Sequence, residues 1–409
     1  MANSVKWLKT ITLLSLCVMI FTLPFSKSMV EIFFIVALIS WILRRILSYR
    51  TNISLINLLK PVSSVLNLPL ALFILAGLLS TLTSASIVLS LKGLFFKLLE
   101  GVVLCFMVME TVSSRKKLNL ILISTLLSMI LTGSDGIFQL VTGKDFLRHF
   151  DIYGARIRAS FSNPNGFGGW LIVVISLALS IGIMRKDFWS KRIMKIMIWA
   201  LVSVLAFCLV MTYSRGAWIG AVLALFFIGI AKKSKPLIIA ILIVAALPFI
   251  VPIPVKERLL AALPFTISYS IKGRLSSLIL FNEPIRSNLW REAVAIIKDF
   301  PILGCGLNTY SIVAPGYKRG LSEAGIYPHN SYLQMAAETG IIGLMAFLWL
   351  VFILFKTSLK NLKKIKDGFF SNVLIGLLAG MLAFLVQSFF DVNFYALQLA
   401  ILMWFVMGL

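Results

Sequence analysis

Residues 196–233 read IMIWALVSVLAFCLVMTYSRGAWIGAVLALFFIGIAKK. Two apolar runs, roughly 196–213 and 216–231, flank a short polar turn that carries Arg215, and lysines follow the second run. The runs are continuous rather than alternating. Each approaches the ~20 mostly apolar residues that a helix needs to cross a bilayer. A membrane barrel would instead alternate weakly over strands of ~10 residues. The stretch therefore specifies two membrane helices joined by a tight turn.

Working outward, ten more stretches have the same character: roughly 10–25, 29–43, 67–86, 98–112, 118–138, 166–184, 236–252, 340–355, 370–390 and 393–409. The chain is 60% hydrophobic and 13% charged, whereas an ordinary globular domain is ~45–50% apolar and ~25% charged. That excludes a soluble multidomain enzyme, a disordered chain and a collagen-like fibre. The expected fold is an all-α polytopic membrane protein of about twelve transmembrane helices, with 1–409 as a single integral membrane domain.

The charge balance is strongly basic, 39 Lys+Arg against 15 Asp+Glu, for a net charge of +24. Nucleic-acid binding and membrane topology both produce such an excess, and the placement of the cations separates them. With the N-terminus in the cytoplasm, the cytoplasmic segments hold 22 of the 39 cations, the short outside loops hold 6, the long outside loop holds 9, and Lys92 and Lys97 flank the fourth span. Basic residues concentrate in cytoplasmic loops, so topology explains the excess. No nucleic-acid partner is needed, and both termini are expected in the cytoplasm. The first apolar run has no small-x-small cleavage site after it, so it reads as an uncleaved helix rather than a signal peptide. Cys17, Cys105 and Cys208 lie in spans and Cys305 stands alone in a loop, which is neither a disulfide framework nor a metal spacing.

Two outside segments are too long and polar to be connectors: 139–165 and the loop of about 253–339. Long loops in compact proteins are usually functional or disordered, and the second one contains helix-like stretches. NEPIRSNLWREAVAIIKDFP has Asn282 as N-cap, Pro284 in the first turn and an apolar stripe of Trp290, Ala293, Ile297 and Phe300. Pro301 and Gly304-Cys305-Gly306 end it. PHNSYLQMAAETG places Pro328 and His329 in a first turn, with Tyr332, Leu333 and Ala336 on the same face, and Gly340 as a stop or kink. Such helices suit the outer membrane surface or the roof of a cavity.

Few residues can carry chemistry. Of the two histidines, His329 at a helix start is a candidate general base, while His149, between Arg148 and Phe150 in a loop, reads as structural. Arg215, in a very short outside turn, runs against the topological rule, and ionisable residues at the membrane edge are functional candidates. Arg286 and Arg291 sit five residues apart, ~140° around a helix at ~100° per residue, so they cannot both face one ligand. Arg286 shares the face of Trp290, and Arg291 is expected at the surface. Two arginines from different elements can clamp a pyrophosphate through paired hydrogen bonds. There is no phosphate loop, dinucleotide fingerprint or paired Asp-x-Asp, so neither a metal nor another cofactor is expected. The scarcity of carboxylates in mid-span counts against a proton-coupled transporter.

The order of Asn163-Pro164-Asn165, Thr212-Tyr213-Ser214-Arg215-Gly216-Ala217, Arg286-x-x-x-Trp290, Gly304-x-Gly306, Pro328-His329-Asn330-Ser331-Tyr332-Leu333 and Glu338-x-Gly340 resembles the O-antigen ligase and polymerase superfamily. The resemblance implies a glycosyltransferase architecture similar to the GT-C type in the bacterial inner membrane, with a periplasmic active site. It implies transfer of an O-polysaccharide from undecaprenyl pyrophosphate to a sugar hydroxyl of lipid A–core, inverting and without a metal, in lipopolysaccharide biosynthesis. By motif, Arg215 and Arg286 would hold the pyrophosphate, with Arg274 a rival to Arg286, and His329 would be the base. Arg291, Arg274, Asn163, Asn165, Asn330 and Tyr332 would bind substrate. O-antigen polymerases and protein O-oligosaccharyltransferases use the same donor and stay open as alternatives, as does a polysaccharide transporter or flippase.

Overall fold

The computed structural model describes residues 2–48, 63–154, 156–184, 189, 191–234, 284–317 and 327–409. These residues are nearly all helical, and no strand is present among them. In chain order the helices are α1 (Ala2–Thr22), α2 (Lys27–Ser48), α3 (Asn67–Leu82), α4 (Ile87–Gly93), a π-helical segment Leu94–Leu99, α5 (Glu100–Thr111), α6 (Arg115–Thr142), α7 (Pro164–Gly182), α8 (Arg192–Met211), α9 (Arg215–Ala231), α10 (Pro284–Asp299), α11 (Tyr310–Val313), α12 (Ser331–Leu362), α13 (Gly368–Gln387) and α14 (Leu397–Gly408). Every apolar stretch read from the sequence coincides with helix, except 236–252, which lies outside the described residues.

Six of these helices (α1, α6, α7, α8, α12 and α13) are long and apolar enough to cross a membrane, and α3, α9 and α14 are shorter apolar helices. The fold is therefore that of an all-α polytopic membrane protein. Large apolar side chains such as Ile196, Met197, Trp199 and Val210 on α8 face outward, as a lipid-facing helix requires.

Helices α7, α9 and α13 form the centre. They approach closely because small residues meet backbone: a Cβ added at Gly220 would lie 2.7 Å from the Ala383 carbonyl oxygen, and one at Gly376 would lie 2.9 Å from Leu177 Cα. Small interfacial residues do this in membrane bundles, where dispersion rather than water expulsion drives packing.

Helix ends sort by charge. Arg44 and Arg45 at the end of α2 pair with Glu110 at the end of α5, and Arg115 at the start of α6 pairs with Asp367 before α13 at 3.6 Å. The sequence reading assigned all of these termini to one membrane side, and the contacts bring them to one end of the bundle.

Between α6 and α7, the described residues 143–154 and 156–163 form neither a helix nor a strand. Helix α6 extends to Thr142, and its buried Asp135 accepts from the Phe146 N–H at 2.9 Å and the Ser160 hydroxyl at 2.7 Å. Gln139 accepts the Arg158 and Ala159 N–H groups and donates to the Phe150 carbonyl. These side chains do for the loop's buried backbone what a ladder would do in a sheet. Asp135 is a buried carboxylate near the C-terminal end of α6, away from the middle of the span, and it is held by the loop it anchors.

Candidate active site

Helix α10 begins at Pro284, where the missing N–H costs nothing. Asn282 lies outside the described residues. The buried face of α10 is Leu289, Ala293 and Ile296, with Ile297 and Phe300 partly buried beside them. The expected stripe is thus shifted: Trp290 leaves it and Leu289 and Ile296 join. That face packs on Cys305, Tyr310, Ala314 and Ala337. The opposite face (Ser287, Arg291, Val294 and Lys298) roofs a cavity of about 820 Å³ whose other walls include Asn330, Tyr332 and Phe389.

The start of α12 differs from the sequence reading. The helix starts at Ser331, because the Asn330 side chain caps it by accepting the Tyr332 and Leu333 N–H groups, both at 3.0 Å. His329 therefore precedes the cap instead of lying in the first turn. Its φ is +46°, a region that non-glycine residues rarely occupy and that is found where the surroundings hold it. What holds it is the turn after α13. The Ser331 hydroxyl donates to the Asp391 carbonyl at 2.7 Å, and the Ser331 N–H donates to the Ser388 carbonyl at 2.8 Å.

This staple places His329 Nδ1 3.1 Å from Asp391 Oδ1. Asp391 is buried, and the histidine side chain is 40% exposed. Burial alone would raise the Asp391 carboxyl. The hydrogen bond and charge of His329, the Val392 N–H at 2.8 Å and the Asn165 side chain outweigh it and hold the carboxyl below its ordinary value. An ionised Asp391 accepts the Nδ1 proton and leaves Nε2 free to take another. Asp391 is the residue that sequence reading missed as a partner. It stood 62 positions from His329 with no motif around it, and only the α12–α13 docking joins them.

Two further segments reach this pair. Asn165 accepts from Arg156 Nη2 at 2.6 Å, and its backbone carbonyl accepts from the Gln387 side chain at 2.8 Å. Arg156 Nε donates to the Thr212 carbonyl at 2.7 Å, which ties the 163–165 turn to the turn before Arg215. Tyr213 in that turn has φ +49°. Arg215 is half-buried at the first position of α9, and its neighbour Gly216 lies so close to Phe390 that an added Cβ would sit 2.8 Å from the Phe390 Cβ. Arg215, Asn165, His329 and Asp391 are thus gathered round one turn, and Phe389 of that turn lines the cavity.

The remaining sequence candidates sort clearly. Asn163 is the N-cap of α7, accepting the Gly166 N–H at 2.7 Å. Asn330 and Tyr332 line the cavity, and the Tyr332 hydroxyl donates to the Leu385 carbonyl at 2.7 Å. Arg291 is exposed and belongs to the cavity wall, while Arg286 is half-buried one turn earlier and is not among the lining residues. Arg274 lies outside the described residues. Among those described, no group of three or more His, Cys, Asp or Glu residues is placed to hold a metal ion.

The Gly304-x-Gly306 and Glu338-x-Gly340 motifs are a strap rather than a reaction centre. The Cys305 and Gly306 N–H groups donate to the Ala337 and Glu338 carbonyls, and buried Glu338 accepts the Asn308 N–H at 2.8 Å. Gly340 kinks α12 at φ +65°, and an added Cβ would lie 2.0 Å from the Ile302 carbonyl oxygen. Only glycine tolerates both the angle and the contact.

Residues 200–348 match the family model described as O-antigen ligase. This segment, less than half of the chain, is similar to the O-antigen ligase family. That segment contains Arg215, Arg286, the glycine strap and His329, whereas Arg156, Asn165 and Asp391 lie outside it. No curated protein matches the chain.

Proposed function

We propose that this protein is a membrane glycosyltransferase of the O-antigen ligase kind, acting at the outer face of the bacterial inner membrane without a metal. It moves an O-polysaccharide from undecaprenyl pyrophosphate onto a sugar hydroxyl of lipid A–core. The carrying observation is the His329–Asp391 pair, adjacent in the chain to the cavity-lining Asn330 and joined through Phe390 to the Arg215 turn. The family segment supports a glycan-transferring membrane enzyme more generally.

In the proposed step the acceptor hydroxyl oxygen attacks the anomeric carbon while His329 Nε2 takes its proton. Asp391 steadies the imidazolium through Nδ1–H. The bond from the anomeric carbon to the pyrophosphate oxygen breaks, and the electron pair leaves with undecaprenyl pyrophosphate. Arg215 at the α9 N-terminus, with Arg156 bonded to the turn that precedes it, opposes the charge that grows there, and the motif assigns Arg286 to the same task. Cations fixed before the reaction stabilise the transition state more than the ground state. Trp290, whose buried indole N–H has no partner among the described residues, with Tyr332 and Phe389, provides the flat apolar faces and the donor that sugar rings use.

The test is the mass of the product formed by purified protein from lipid-linked glycan and lipid A–core in detergent. The wild type should form the ligated product, with or without chelator. His329→Ala and Arg215→Ala should each lose it by ~10²–10³ while still inserting in membranes. Product from both variants at wild-type rates would sink the assignment. A carrier or flippase would consume no donor, since detergent leaves no second compartment. A glycan chain lengthened on its own carrier would point to the polymerase alternative, and transfer to a protein to an oligosaccharyltransferase.

A further inference from the structure

The other end of the bundle holds a second cationic cluster that transfer chemistry does not use. Arg44 and Arg45 in the last turn of α2 are buried, at 8% and 7% exposure. Both donate to one carboxylate, Glu110 at the end of α5: Arg44 through Nη2, and Arg45 through Nε at 3.3 Å and Nη2 at 3.1 Å. The Trp41 indole N–H also donates to it, at 2.8 Å. Two guanidinium groups therefore share this negative charge, and the carboxylate already accepts from three side chains. Arg44 Nε is buried with no acceptor among the described residues. Lys117 at the start of α6 lies within electrostatic range of both Arg44 and Lys9, so these neighbours add positive charge rather than balance it. An isolated buried charge is costly unless paired. Among the described residues, Glu110 is the carboxylate that faces both buried cations, and half-buried Trp41 borders the cluster, its ring 4.4 Å from Arg45 Cζ. Tryptophan prefers the headgroup level of a bilayer.

We propose that Arg44, Arg45, Lys9 and Lys117 form a binding site for an anionic phosphate group, at the end of the bundle away from His329. The phosphate supplies counter-charge to the cluster and the acceptor that Arg44 Nε lacks. Guanidinium is suited to this, because its fork donates to two phosphate oxygens at once. The site lies where an acidic phospholipid presents such a group, and basic pockets between membrane helices take headgroups of this kind. Free phosphate has the same chemistry, so the test separates the two sources. The proposal stands independently of the transferase reading, since it concerns other residues and needs no turnover.

The experiment is native mass spectrometry of the full-length protein from mixed micelles of phosphatidylglycerol and phosphatidylethanolamine, with and without millimolar inorganic phosphate. The wild type should retain phosphatidylglycerol preferentially. Arg44→Gln leaves a balanced Arg45–Glu110 pair and should reduce that preference about fivefold, the effect of one basic residue at an anionic lipid surface. Glu110→Gln removes the anion that the two arginines share and should increase it. The exposed Lys9→Gln with Lys117→Gln changes the field without touching the buried triad, so it reports even where Arg44→Gln does not fold. Loss of the preference in millimolar phosphate would assign the site to free phosphate, and retention would assign it to the lipid headgroup. Equal retention of the two lipids by the wild type, together with no phosphate adduct, would overturn the proposal, as would indifference to all three substitutions.

Discussion

Replacing Asp391 by asparagine tests the site at the joint that sequence could not supply. Asp391 touches no reacting atom in the proposed step and acts through His329, so it is a positioning residue. When His329 takes the acceptor proton, a carboxylate 3.1 Å from Nδ1 stabilises the new imidazolium. At that distance, with an effective dielectric near 20, the attraction is about 5 kcal/mol. The histidine is 40% exposed, and solvent screening removes roughly half of that. About 2.5 kcal/mol then remains, which is close to 10² in rate. The Val392 N–H donates to the same oxygen at 2.8 Å and favours an amide oxygen there, so the variant keeps the tautomer with Nε2 free. A flipped amide would reverse the tautomer, and a comparable exchange behind another catalytic histidine costs about 10⁴. Asp391→Asn should therefore lower kcat by about 10² and leave KM for the lipid-linked donor within about threefold. The assay is initial-rate product formation at varied donor, with folding checked by thermal melting. A kcat within threefold of wild type, or a loss confined to KM, would refute the reasoning.

Two other outcomes concern stability. Asp391 has a folded value held below its unfolded value of about 3.9, so its stabilising contribution is complete above that value and is lost as pH falls through the folded one. The margin by which the melting temperature of the wild type exceeds that of Asp391→Asn should shrink as pH falls below about 4. A margin that grows as pH falls below about 4 would contradict an ionised Asp391 in the folded protein. Gly340→Ala forces a side chain into φ +65° and against the Ile302 carbonyl, and the backbone strain alone costs about 1–3 kcal/mol. It should lower the melting temperature and expose the 300–310 strap to protease. An unchanged melt would mean that α12 does not need its kink.

How much was legible differs from residue to residue. The six long apolar helices and the three shorter ones announce themselves, because a run of apolar residues has only one way to satisfy its backbone in lipid. Helix α10 and the start of α12 were visible through Pro284 and through the polar residues at 328–331. Their limits were less so. The Asn330 cap moved His329 out of the helix, and the buried stripe of α10 rotated onto Leu289 and Ile296, because periodicity defines a face only to within a residue. The strap was read as a family motif without a role. Its glycines make sense only once Gly304 and Gly340 are seen against the backbone of the opposite segment.

By itself, the sequence determined that this is a helical membrane protein, and it singled out His329 and Arg215. Those properties depend on composition and on local order along the chain. The tertiary structure decided what those residues meet: Asp391 behind His329, Asn165 and Arg156 bridging to the Arg215 turn, Arg291 rather than Arg286 on the cavity wall, and two arginines sharing Glu110 at the far end. Each of these pairs residues that are distant in the chain. Helix-to-helix docking sets such pairings, and it depends on which small residues let two backbones come together, a property of surfaces that a linear reading does not contain.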